Sequence, residues 1–161
     1  MTIREISFIS RERAESLPGS PDTAIISITD PGTPPAKLAA SFGKVLRLSF
    51  LDAIPADDYI PMPFPGLFES GMAQDICQFI DALQAAPEAL HCVVHCEFGI
   101  SRSAAVALFI EAYTQAPLNA REFACHANEW VASTLARERP PLLIEIPQPR
   151  AKNERRGQQR V

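Results

Sequence analysis

This chain has few histidines, few cysteines and no long apolar run, and each shortage excludes a class of function. The three histidines, His91, His95 and His126, lack the spacing of a metal-ligand cluster, so neither a metal nor another cofactor is expected. The four cysteines, Cys77, Cys92, Cys96 and Cys125, show no paired spacing of a disulfide scaffold. They suit a reducing compartment, and a cytoplasmic location is expected. No apolar run approaches the roughly 20 residues of a membrane-spanning helix. The start, Met1-Thr2-Ile3-Arg4-Glu5, lacks the basic-then-apolar pattern of a secretory signal. A cationic excess is also missing, since the net charge is -4. Arg150, Lys152, Arg155, Arg156 and Arg160 against Glu154 give the end of the chain +4, which leaves -8 on the remainder. An acidic body argues against general nucleic-acid binding.

What is present is enough for one domain: 161 residues, 47% of them hydrophobic, can bury a sizeable core. That domain is expected over residues 1–147, with 148–161 a basic, disordered tail or an electrostatic handle for an anionic partner. Residues 3–9 read as an edge strand, and Ser10 as the N-cap of a short helix through Leu17. Residues 23–28 are a β-branched run that reads as a central strand. Asp30 follows at the carboxyl end of that strand, where open α/β sheets place ligands, but Asp30-Pro31-Gly32 reads first as a turn. Residues 45–50 read as another strand. The segment from Pro55 to Gly66 is too proline-dense for a helix and reads as a long surface loop. Apolar residues 72, 76, 79, 80 and 83 make a helical stripe. A last helix is expected from Ala120 to about Glu138, capped by Asn119, with Phe123, Ala127, Trp130, Val131 and Leu135 inward. Strands alternating with helices imply an α/β domain with a mainly parallel central sheet flanked by helices on both faces.

The most informative stretch runs from Val93 to Ile110. Cys92-Val93-Val94 reads as a buried strand, and residues from about Ser101 to Tyr113 as a helix apolar almost all round. A strand feeding a tight loop that opens a helix aims several N–H groups and a helix dipole at one spot, which favours an anion. Cys96 stands at the loop's start, and a thiol near a helix N-terminus and a cation ionises more readily to the reactive thiolate. Arg102 offers a planar, permanently charged fork for two phosphate oxygens. Gly99 allows the turn and a close approach of backbone to ligand. Ser103 reaches back toward the sulfur. A nucleophile inside an oxyanion cradle predicts phosphoryl transfer to sulfur.

His95-Cys96-x5-Arg102-Ser103 resembles the signature of the protein tyrosine phosphatase superfamily. Gly99-Ile100-Ser101-Arg102-Ser103 is most similar to its dual-specificity branch. The resemblance implies a cysteine-phosphatase-like three-layer fold and a phosphocysteine intermediate. It makes the backbone of Glu97, Phe98, Gly99, Ile100 and Ser101, with Arg102, the phosphate cradle, and His95 a supporting residue that bonds backbone around the cysteine. It also implies a general acid, an Asp beyond the strand preceding the helix that leads to the loop. Asp52, Asp57 and Asp58 are the candidates. Asp52, two residues past Phe50, suits the active edge of the sheet. Asp57 and Asp58 lie nearer Cys96 in sequence, on a loop able to close over substrate.

No aromatic-rich loop is available to wall a deep slot, so a shallow, permissive site is expected. Glu97 inside the loop disfavours highly anionic ligands such as inositol polyphosphates. The expected partner is a phosphorylated protein or a small phosphomonoester. The rival reading is a non-catalytic phosphate-binding interaction module with the same fold. Cys77 and Cys92 raise the question of a disulfide with an oxidised Cys96, but small buried hydrophobes are the simpler reading.

Overall fold

The structure, a computed structural model, describes residues 3–55 and 65–150. Four strands, β1 (Ile3–Ser10), β2 (Thr23–Thr29), β3 (Lys44–Ser49) and β4 (Leu90–Cys96), form one parallel sheet in the order β1-β4-β2-β3. β2 and β4 occupy the centre because both lack polar alternation. Nearly every residue in them is buried, as a strand covered on both faces requires. β1 and β3 are the edges. The outer side of β1 is partly closed by the chain after the third helix: Ile6 N donates to Pro117 O at 2.9 Å and Asn119 N to Ile6 O at 2.8 Å. That contact gives the edge a partner where it would otherwise be open.

Successive strand residues point to opposite faces and therefore enter different cores. Ala24, Ile26, Cys92, Val94 and Cys96 face the larger core, shared with α2 (Ser70–Ala85), α3 (Arg102–Thr114) and α4 (Glu129–Glu138). Ile25 and Val93 face a smaller core with Ile9, Ala14 and Phe42. Its cover is the six-residue α1 (Arg11–Ser16) and the irregular segment around Leu38–Phe42. The three layers of the expected α/β fold are present, and one is thin. Ser10 caps α1, its Oγ accepting from Arg13 N at 3.2 Å.

The last helix differs from its expected form. Residues Arg121–His126 are a 3₁₀ helix, and α4 begins only at Glu129. Ala120 has a φ of 56°, which stops a helix from running through it. Phe123, expected inward, is 67% exposed. Asn119 caps nothing; its amide donates to Glu5 Oε2 and Ser7 Oγ, both at 3.0 Å. The true cap is Asn128, whose Oδ1 accepts from Val131 N at 3.0 Å. A helical stripe in sequence cannot reveal a left-handed residue that resets its phase. Asp57, Asp58 and the tail beyond Arg150 lie outside the described residues. Among the described residues, no helix is long and apolar enough to cross a membrane.

Candidate active site

β4 ends at Cys96 and α3 begins at Arg102, so Glu97–Ser101 must turn the chain from strand to helix in five residues. Gly99 makes the turn possible, with a φ of 71°. A Cβ there would stand 2.4 Å from Ile9 C and 2.4 Å from Ser10 N, so the loop also lies flush against the end of β1. Arg11 secures the loop from the other side. Its N donates to Glu97 O at 3.2 Å, its guanidinium pairs with Glu97 at 3.9 Å and Glu15 at 3.7 Å, and Nη2 donates to the carbonyls of Pro34 and Pro35 at 3.0 and 3.2 Å. Phe98 projects from the loop, 77% exposed, beside a groove lined by Arg11, Glu12, Glu15 and Glu97. With the Phe98 and Ile100 side chains exposed, those residues have only backbone N–H groups to offer a bound anion.

Cys96 is buried at the floor of the loop, its Sγ donating to Ser103 Oγ at 3.1 Å. Once ionised, the sulfur accepts from that hydroxyl instead. His95, also buried, supports the loop from beneath. A carbonyl can only accept, so His95 Nδ1 carries the hydrogen donated to Cys96 O at 3.3 Å, and Nε2 accepts from Ser27 Oγ at 2.6 Å. Burial holds this imidazole below its usual pKa, with the Arg11 and Arg47 charges adding to the effect and the bond to Cys96 opposing it. The neutral imidazole is therefore the favoured form.

Arg102 is only 4% exposed. Its Nη1 donates to Asp30 Oδ1 at 2.6 Å and to Phe50 O at 2.8 Å, which anchors one corner of the guanidinium to the ends of β2 and β3. Its Nε, fully buried, has no partner among the described residues. A buried cationic donor left without an acceptor is costly, and an anion in the loop would satisfy it. The first turn of α3 agrees with this: it has no side-chain cap, because the Ser101 hydroxyl is turned away to Asp52 Oδ1 at 2.8 Å.

Asp52 follows β3 and reaches the loop through that same bond. A second donor, Asn128 Nδ2, meets the same Oδ1 at 2.8 Å. Of the residues expected at the site, the structure brings together Cys96, Ser101, Arg102, Ser103 and Asp52, with His95 beneath. Two further residues join them, Asp30 and Asn128. Asp30, which reads first as a turn former, does form a turn, its carbonyl accepting from Thr33 N at 3.2 Å, but its carboxylate also holds Arg102. Its place at the carboxyl end of β2 was the available signal. Asn128 falls inside the helix expected from Ala120 to Glu138; an Asn just before Glu129 and an apolar stripe is the cap signature that marks it.

Four residues along a strand span about 13 Å, well beyond the roughly 7 Å Cα separation a disulfide allows, so Cys92 cannot bridge to Cys96. Burial pushes the Cys92 thiol up to about 12 and raises that of Cys77 as well. All four cysteines are free.

No protein-family model and no curated protein sequence matches the chain. Among solved structures it is similar to a single-residue variant of human DUSP28, at 18% identity and TM-score 0.40, covering 88% of this chain and 78% of that one. It is also similar to Tk-PTP in its active form, at 14% identity and TM-score 0.37, covering 85% of this chain and 80% of that one. At that level of similarity the functional reading rests on the site's own residues.

Proposed function

We propose that this protein hydrolyses phosphomonoesters through a phosphocysteine intermediate. The observation that carries the proposal is the buried Arg102 guanidinium, anchored at Nη1 and unpartnered at Nε, in the same loop as Cys96. A phosphate dianion binds Arg102 and the loop N–H groups. Cys96 thiolate attacks phosphorus opposite the ester oxygen; the S–P bond forms as the P–O bond breaks. Asp52, which borders the loop through Ser101, gives its proton to the departing oxygen. A water then attacks phosphorus and returns a proton to Asp52. The P–S bond breaks, phosphate leaves, and Ser103 Oγ donates to the re-formed thiolate. Arg102 and the backbone supply the positive field for the charge that develops on the phosphoryl oxygens.

Phosphorylated protein side chains are the preferred substrate class. The groove beside Phe98 carries Glu12, Glu15 and Glu97 against Arg11 alone, and this acidic excess, with the acidic body, opposes a highly anionic ligand such as an inositol polyphosphate. A reactive thiolate and four unpaired cysteines suit the cytoplasm. The unit that does this chemistry is residues 1–147, and the basic end of the chain is accessory to it.

Hydrolysis of p-nitrophenyl phosphate by wild type and Cys96→Ser, and of phenyl phosphate by Asp52→Asn, tests this reading. Wild type should turn over, Cys96→Ser should not, and Asp52→Asn should lose about 10²–10⁴-fold on phenyl phosphate. Turnover by Cys96→Ser equal to wild type overturns the mechanism. Undiminished Asp52→Asn moves the acid to Asp57 or Asp58. Phosphate binding without any wild-type turnover assigns the interaction-module alternative.

A further inference from the structure

Asn128 is held from three directions. It is 3% exposed, and its Oδ1 caps α4 by accepting from Val131 N at 3.0 Å. With that oxygen engaged, the amide nitrogen must face the other way, where Nδ2 donates to Asp52 Oδ1 at 2.8 Å and to Ala53 O at 3.2 Å. A flipped amide would break the cap and set an oxygen against two acceptors. Its backbone N donates to Ser101 O at 3.1 Å, and Ser101 Oγ donates to Asp52 Oδ1 at 2.8 Å. One residue thus joins the start of α4, the phosphate loop and the segment after β3.

The consequence lies in which oxygen of Asp52 can hold a proton. Two donors converge on Oδ1, and an oxygen receiving both has no room for a hydrogen of its own. We infer that Asn128 and Ser101 are positioning residues that confine the transferable proton of Asp52 to Oδ2 and aim that oxygen at the leaving group. The inference rests on Asp52 being the general acid of the proposed mechanism. In the first step the Oδ2–H bond breaks and the hydrogen passes to the ester oxygen as that oxygen leaves phosphorus. In the second, Oδ2 takes a proton from the attacking water.

Asn128→Asp is the decisive variant. It keeps an oxygen to cap α4 but sets a carboxylate against Asp52, so a proton is shared between them and not delivered. A poor leaving group needs the proton and a good one does not. On phenyl phosphate, kcat should fall about tenfold to hundredfold, while on 2,4-dinitrophenyl phosphate it should stay within about twofold. Ser101→Ala should show the same selectivity at about two- to tenfold. In an Asp52→Asn background, Asn128→Asp should add nothing. Equal loss on both substrates, no loss on phenyl phosphate, or a full further loss in that background overturns the inference. If Asn128→Asp does not fold, Ser101→Ala decides by the same criteria. Asp52→Asn alone separates the two levels. If its own loss is indifferent to leaving group, the acid assignment fails; if its loss is selective and those of Asn128→Asp and Ser101→Ala are not, only the positioning role fails.

Discussion

Arg102 Nη1 donates to Asp30 Oδ1 at 2.6 Å, across 72 residues of sequence. The bond joins the first turn of α3 to the carboxyl end of β2, and Phe50 O joins the same nitrogen to the end of β3. The ends of two neighbouring parallel strands thereby orient a single guanidinium, and its Nε edge is the one left over.

Asp30→Ala should therefore weaken phosphate binding without unfolding the protein. Charge-assisted hydrogen bonds contribute about 1.5–3 kcal/mol, so the inhibition constant of inorganic phosphate should rise roughly tenfold to hundredfold. Asp30→Asn, which keeps an acceptor, should lose less. Equal inhibition constants for wild type and Asp30→Ala would show that Arg102 orients itself.

Gly99→Ala should be severe. Positive φ at a non-glycine residue costs on the order of 1–3 kcal/mol, before the added Cβ meets Ile9 C and Ser10 N at 2.4 Å each. The end of β1 or the loop must move, and either displaces the N–H groups of the cradle. A lowered melting temperature together with lost p-nitrophenyl phosphate turnover is expected; a variant matching wild type in both would contradict the close packing.

Ser103→Ala removes the hydroxyl 3.1 Å from Cys96 Sγ. Thiolate departure from phosphorus should slow more than its attack, so the phosphocysteine should accumulate. Rapid mixing with p-nitrophenyl phosphate should then show a burst of nitrophenol absent from wild type, followed by slower turnover. A steady-state rate that falls with no burst would place Ser103 in the first step.

Stability should depend on pH below neutrality. His91 and His95 both have folded pKa values held below 6.5 by burial. Well above 6.5 both are neutral in either state and their contribution to stability is complete. As pH falls below 6.5 the unfolded chain binds protons first, and stability is lost toward the folded values. Glu5 and Glu15, whose values are lowered, act in the same direction, but only as pH falls below 4.5. Denaturant midpoints at pH 7.5 and 5.5 should differ, the second being lower; equal midpoints would show that neither buried imidazole is coupled to folding.

Much of the fold was legible because its signals are local. β2 is continuously apolar where it is covered on both faces, and Ser10 precedes α1 as a cap should. The turn from α3 to α4 was not legible. Ala120 takes a left-handed conformation that an alanine side chain does not advertise. The site divides in the same way. Cys96, Gly99, Arg102 and Ser103 are close in sequence, and the chemistry of each is apparent from its spacing to the others.

The amino-acid sequence by itself determined the cradle: a strand, a five-residue turn and a helix that would aim its N–H groups, a thiol and a guanidinium at one point whatever surrounded them. The tertiary structure alone decided how the cradle is oriented and completed. Asp30, Phe50, Asp52 and Asn128 reach it from the ends of β2 and β3 and the start of α4. A parallel sheet gathers the carboxyl ends of distant strands at one edge, and that convergence is written in strand order, which no local pattern records.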